Sequence, residues 1–213
     1  DIDLTDKGRA GAVKAGEIMK GAGVNFDEVH TSKLNRAIET AQLAQKGMSA
    51  QWVPLQKFWR LNERCYGDLE GKKREDVAKE VGDDQVKIWR RSFDVPPPSL
   101  AVTDARSPVK DPRYADLDPR VIPASESLKD VIARVGPYWT DQLRPAIKSG
   151  KTVLVVGHST NLRALSAWIE PNLDEKALQK LEIKNTKPIL YEFDKNMNVI
   201  CRKVLEPSTV KKE

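Results

Sequence analysis

Between Lys151 and Val156 the chain reads Lys-Thr-Val-Leu-Val-Val, an aliphatic, β-branched run with no polar alternation in its second half. A strand with one wet face alternates apolar and polar residues. A continuous apolar run marks a strand covered on both faces, which is the condition of a parallel strand in an α/β sheet. His158 follows directly, and Asn161 to Ile169 has the spacing of a helix. Strand, short turn and helix in that order point to an α/β fold, a mostly parallel sheet in a three-layer arrangement with helices on both faces.

The rest of the chain fits that alternation. Thr5 is placed to N-cap a helix running to about Gly21, with Ala12, Ala15, Gly16 and Met19 on one face. Asp27 to Thr31 reads as a strand, and Leu34, Ala37, Ile38 and Ala41 recur at helical spacing after it. Gln51 to Leu55 reads as a further strand. The stretch from Pro96 to Pro123, rich in Pro, Asp and Arg, is a long connection of the kind that serves as a lid or an ordered insertion. Ser125 is expected to cap a helix that turns Leu128, Val131, Ile132, Val135 and Trp139 inward and bends at Pro137. Pro188 to Phe193 and Val199 to Arg202 read as a hairpin around Lys195-Asn196. Residues 1–205 are expected to form a single domain and 206–213 a polar, mobile tail.

Composition narrows the functional classes. The chain has 213 residues, enough for one good core. Its 36 Lys and Arg against 31 Asp and Glu give a net charge of +5. That surplus suits a small anion focused into a cleft and is too small to argue for nucleic acid. The longest apolar run, around Val153 to Gly157, is far short of a membrane span, so no membrane insertion is expected. Two histidines and two distant cysteines offer no metal-ligand spacing, and Cys65 and Cys201 read as reduced thiols.

Two blocks stand out: Trp59-Arg-Leu-Asn-Glu-Arg-Cys-Tyr-Gly67 and Val86-Lys-Ile-Trp-Arg-Arg-Ser-Phe-Asp-Val-Pro-Pro-Pro98. They set Arg60, Arg64, Arg90 and Arg91 among aromatic side chains, where planar guanidinium groups suit bidentate capture of phosphate or carboxylate. Taken singly, either block reads equally well as a surface stretch with ordinary salt bridges. Together they resemble the bisphosphoglycerate-dependent phosphoglycerate mutases of the histidine phosphatase superfamily, which carry W-R-L-N-E-R-x-Y-G and V-K-I-W-R-R-S-x-D-x-P-P-P. Asp3-Leu-Thr-Asp-Lys-Gly8, Thr31-Ser-Lys-Leu-Asn-Arg-Ala-Ile38, Asp111-Pro-Arg-Tyr-Ala-Asp-Leu117 and Glu126-Ser-Leu-Lys-Asp130 extend the resemblance from residue 1 to about residue 200.

Residue by residue, the resemblance implies that Arg36 grips phosphoryl oxygens, that His158 stabilises the same charge and that Glu63 is the general acid/base. It implies that Arg64, Tyr66, Arg90 and Arg91 hold the substrate's carboxylate and distal phosphate, with Arg74 as a basic lid residue. The ligand would be a small phosphorylated anion such as phosphoglycerate, and bisphosphoglycerate would be the primer of an active enzyme. No other cofactor is implied. The family also implies a homo-oligomer.

Departures from the family pattern pull the other way. The nucleophile in the family is the histidine of an Arg-His-Gly motif on a central strand upstream of the block that here begins at Asp1. His30 reads as a structural strand-end residue, and His158 matches the second, non-phosphorylated histidine. The family's His-Gly-Asn-Ser-Leu-Arg is His158-Ser-Thr-Asn-Leu-Arg163 here, Cys65 replaces a histidine, and a Pro-Thr-Gly turn has become Lys184-Asn-Thr186. The expectation from these changes is a mutase-like protein without catalysis, a structural or anion-binding subunit of a larger assembly with protein partners. The alternative is an active mutase whose Arg-His-Gly strand lies outside this sequence, a phosphatase on other small esters being a weaker variant. The first central strand would then be restored upstream, donated by another chain, or replaced by a rearranged fold. A glycolytic role would imply the cytoplasm, and a processed subunit would imply an organelle such as the mitochondrion.

Overall fold

A computed structural model describes residues 1–207; most of the expected tail lies outside the described residues. Thr5 does cap the first helix, accepting a hydrogen bond from Gly8 N–H, and α1 spans Asp6–Gly21. Strand β1 (Glu28–Thr31) leads into α2 (Asn35–Met48), and β2 (Leu55–Lys57) follows. Helices α3 (Arg74–Val81) and α4 (Asp83–Arg91) come next. The long connection then runs through three 3₁₀ turns to α5 (Leu128–Tyr138), α6 (Arg144–Lys148) and β3 (Val153–Val156). Helices α7 (Ser159–Ile169) and α8 (Glu175–Lys180) precede the hairpin β4 (Ile189–Phe193) and β5 (Val199–Val204).

The sheet is parallel, in the order β2-β1-β3, with His30 opposite Gln56 on one side and Val155 on the other. Alternation along β3 divides the core between two layers. Val153 and Val155 pack with α5 and α7 around Leu128, Val131, Val135 and Leu165. Leu154 and Val156 pack with α1 and α2 around Ile18, Met19, Ala41 and Ala44. This is the three-layer α/β architecture that the apolar run at β3 implied.

Two local expectations are corrected. The strand expected at Gln51 to Leu55 lies later, at Leu55–Lys57, because residues 51–53 form a turn in which Gln45 Nε2 donates to Val53 O at 2.8 Å. Ser127, not Ser125, caps α5 through a capping box with Asp130, while Ser125 Oγ donates to Pro97 O. The helix that Pro137 is expected to bend changes character just beyond it. A π-turn at Trp139–Leu143 follows it and carries the chain into α6.

The apolar run from Lys151 to Val156 also reads as a buried central strand, and here the structure differs: β1, fully buried along its length, is the central strand among the described residues, whereas all four residues of β3 are half-buried. The reason is a cleft of about 1000 Å³ whose walls include the free edge of β3 and strand β4. Among the described residues each of these strands has a hydrogen-bonded neighbour on one side only.

Helices α1 and α2 approach so closely that two glycines are obligatory. A Cβ on Gly16 would lie 2.1 Å from Ala44 O, and one on Gly47 would lie 2.2 Å from Val13 O. Gly16→Ala should therefore force the helices apart and cost about 1–3 kcal/mol, despite alanine's better helix propensity. Urea unfolding of the two proteins side by side measures this, and an unchanged or raised midpoint would contradict the packing.

Candidate active site

The site grows from the carboxyl end of the parallel sheet, where ligands bind in open α/β sheets. The chain leaves β1 at Ser32 and leaves β3 at His158, which are neighbours because their strands pair. Ser32 Oγ lies 2.9 Å from His158 Nε2 and accepts the Leu34 N–H at 3.1 Å. His158 is also the N-cap residue of α7. Burial first, then the charges of Arg36 and Arg134, lower its pKa from 6.5 to about 3. The imidazole is therefore neutral at physiological pH, a hydrogen-bonding group and not a fixed cation.

Glu63 comes from the irregular segment after β2. Its Oε1 accepts the Arg64 N–H at 2.7 Å, and its Oε2 faces the Thr160 N–H at 3.4 Å, in the first turn of α7. Arg36, Glu63, His158 and Ser159 all line one end of the cleft between β3 and β4. Arg36 already holds an anion: its Nη1 reaches Asp1 Oδ1 at 3.2 Å. Asp1 Oδ2 in turn accepts from Asn35 N–H at 2.6 Å and Arg113 Nη1 at 2.7 Å, at the N-terminus of α2.

Beside this lies a cluster of guanidinium groups. Arg64, only 3 % exposed, stacks over the Tyr66 ring at 4.4 Å, and Arg90 approaches the same ring at 5.3 Å. Arg64 Nη2 also donates to the carbonyls of Trp89 and Arg90, which fixes the end of α4 against the segment carrying Glu63. Arg91 borders the same small pocket, with Thr160 from α7. Arg74 is apart from both groups: it lies at the start of α3, its side chain 60 % exposed, and pairs with Asp83 at 3.8 Å.

Three residues with structural roles here are given none in the reading above, although Ser32 and Glu126 stand in its quoted blocks. Ser32 seats His158. Glu126 and Arg134 form a buried ion pair, Nε to Oε1 at 2.6 Å and Nη2 to Oε2 at 3.0 Å. Arg134 donates onward to the carbonyls of Arg60 and Asn62, and Glu126 Oε2 accepts the Cys65 N–H, so this pair frames the segment that presents Glu63 and Arg64. Burial pushes the Cys65 thiol up to about 11, which keeps it protonated and poor as a nucleophile. His30 sits 2.5 Å from the Tyr138 hydroxyl and 3.3 Å from Glu28, with its pKa lowered by burial. Among the described residues no group of three or more His, Cys, Asp or Glu could hold a metal ion, and no helix is long and apolar enough to cross a membrane.

Comparison with known proteins gives this arrangement its place. The model of the histidine phosphatase superfamily (branch 1) matches residues 1–108 and 104–204. The chain belongs to that superfamily. A 2,3-bisphosphoglycerate-dependent phosphoglycerate mutase of Streptococcus thermophilus is 46% identical over 200 residues, covering 94% of this chain and 86% of the relative. One from Streptococcus pneumoniae matches at the same identity and coverage. Among solved structures, a mycobacterial glucosyl-3-phosphoglycerate phosphatase has a TM-score of 0.68 at 20% identity, covering 96% of this chain and 86% of that one. The phosphoglycerate mutase of Bacillus anthracis has a TM-score of 0.59 at 24% identity, covering 88% and 75%. The protein is thus a phosphoglycerate mutase-like member of the histidine phosphatase superfamily, with its α/β fold.

Two outcomes follow from this geometry. Arg134→Met leaves Glu126 buried without its partner and should cost about 3–5 kcal/mol, measured by denaturant unfolding; a loss below 1 kcal/mol would deny the pair its framing role. His158 has a folded pKa of about 3, below its unfolded 6.5. Its contribution to stability is complete above pH 6.5 and declines as pH falls towards 3, by up to about 1.4 kcal/mol per pH unit. His158→Gln should flatten the stability profile across that window, and a profile identical to the parent's would count against a neutral, buried imidazole.

Proposed function

We propose that the protein is a phosphoglycerate mutase that moves a phosphoryl group between the two hydroxyls of glycerate, with bisphosphoglycerate as primer. The observation that carries this reading is the grouping of Arg36, Glu63 and His158 at one end of the cleft, beside Arg64, Arg90 and Arg91. Such a transfer needs a cationic cradle for the phosphoryl oxygens, a carboxylate to exchange a proton with the attacked or leaving hydroxyl, and a clamp on the remote anion. Arg36 and the neutral His158 supply hydrogen bonds to phosphoryl oxygens. Glu63 exchanges the proton, and Tyr66, Arg64, Arg90 and Arg91 hold the far end of the substrate. Arg74, exposed at the start of α3 and facing Asp83, stands apart from this group, so a role for it as a basic lid residue rests on the family resemblance alone.

This reading requires a nucleophilic imidazole of the Arg-His-Gly kind found in the family, which the residues of this sequence do not supply. Neither histidine of this sequence takes that part: His30 is enclosed by Tyr138 and Glu28, and His158 is hydrogen-bonded to Ser32. The named activity of the Streptococcus relatives supports the same reading.

The test is interconversion of 2- and 3-phosphoglycerate by the natural protein, primed with bisphosphoglycerate. Turnover is expected, and Glu63→Gln should lower kcat on the order of 10²- to 10⁴-fold. A folded protein that binds phosphoglycerate without turning it over would refute the mutase reading in favour of a non-catalytic anion-binding subunit.

A further inference from the structure

We propose that Arg163 is a further substrate-contacting residue, the fourth guanidinium of a pocket that takes the carboxylate end of a small phosphorylated hydroxy acid. The inference rests on the phosphoglycerate reading of the site and adds to it a residue from a different helix. Arg64, Arg90, Arg91 and Arg163 converge, with Thr160 and Gln179, on a pocket of about 20 Å³. Among the described residues none of the four makes an ion pair within 4.0 Å. Arg64 Nε and Arg90 Nε are both buried without a hydrogen-bond partner, in a side chain that for Arg64 is 3 % exposed. Orphaned charged donors in a desolvated place are costly unless something anionic satisfies them.

Arg163 is positioned for that task by its own contact. Its Nε donates to Leu181 O at 3.0 Å, which fixes the plane of the guanidinium and leaves both terminal nitrogens for another partner. Burial first, and then the charge of Arg91, lower its pKa, with Arg64 adding to the effect and Glu63 opposing it. Four guanidinium groups and no carboxylate line the pocket. Planar guanidinium forks match a carboxylate through paired hydrogen bonds. Helix α7 thus carries both ends of the site, with His158 as its N-cap at the reacting end and Arg163 further along at the remote end.

Two probes separate the carboxylate from the phosphate: 3-phosphoglycerate, and glycerol 3-phosphate, which has the same phosphate ester and a hydroxymethyl group in place of the carboxylate. Calorimetric titration of the parent should show 3-phosphoglycerate bound roughly 10- to 100-fold tighter, the range of a charged hydrogen bond. Arg163→Gln should bring the two ligands to within about threefold, chiefly by weakening 3-phosphoglycerate, and Arg163→Lys should give an intermediate preference. A general structural defect would weaken both ligands alike, so an undiminished preference in R163Q and R163K overturns the inference. Equal binding of the two ligands by the parent also overturns it. An Arg163-dependent preference in a protein without turnover would keep the pocket and remove the mutase reading, whereas turnover with an intact preference in R163Q would do the reverse.

Discussion

The buried pair of Glu126 and Arg134 is the interaction on which the geometry of this site depends. Both side chains are almost wholly removed from water, at 3% and 6% exposure. Taking two charges out of water costs several kcal/mol, and replacing such pairs by apolar residues often leaves stability unchanged or raises it. Stability is therefore a weak reason for the pair, and placement is a stronger one. The segment from Trp59 to Tyr66 has only a single 3₁₀ turn of regular structure. Arg134 ties its carbonyls at Arg60 and Asn62, and Glu126 ties the Cys65 N–H. With those ties the segment that bears Glu63, Arg64 and Tyr66 has one conformation, set by the rigid helix α5.

The same burial shapes the electrostatics. Arg134 and Arg36 stand near enough to His158 to add to the effect of desolvation, so the imidazole stays neutral among cations. Positive charge is left to the guanidinium groups, which cannot lose their protons at physiological pH. A site built this way keeps strong, fixed donors in a water-poor place, where they favour an anion more than they would in bulk solvent. The Asp1 carboxylate held by Arg36, Arg113 and the Asn35 N–H shows how readily one end of that field accepts negative charge.

The cleft between β3 and β4 links the fold to the site. β3 gives Val153 and Val155 to one core layer and Leu154 and Val156 to the other, so the sheet is covered on both faces by helices. Its free edge nevertheless opens into a space that ends at Arg36, Glu63 and His158.

Much of the local structure was legible in the residues because its causes are local. Helical spacing placed α1 and α2, the Thr5 side chain marked a helix start, and the apolar run at β3 announced a sheet covered on both faces. The arginine-aromatic blocks pointed to an anion site through their resemblance to a family, each block alone reading equally well as an ordinary surface stretch. Other features were closed to that reading because they depend on partners far along the chain. Ser32 and His158 meet across 126 positions, through the pairing of two strands. Arg134 is one of many charged residues until the fold buries it beside Glu126, and Arg74 matches a motif yet stands exposed against Asp83. The half-buried state of β3 follows from what lies beside it, not from its own residues. The sequence by itself determined the fold class and the chemical character of the site, since hydrophobic period and side-chain type are properties of short segments. Only the tertiary structure decided which of those side chains converge, which charges are buried and where the sheet stays open, because burial and distance belong to the assembled chain.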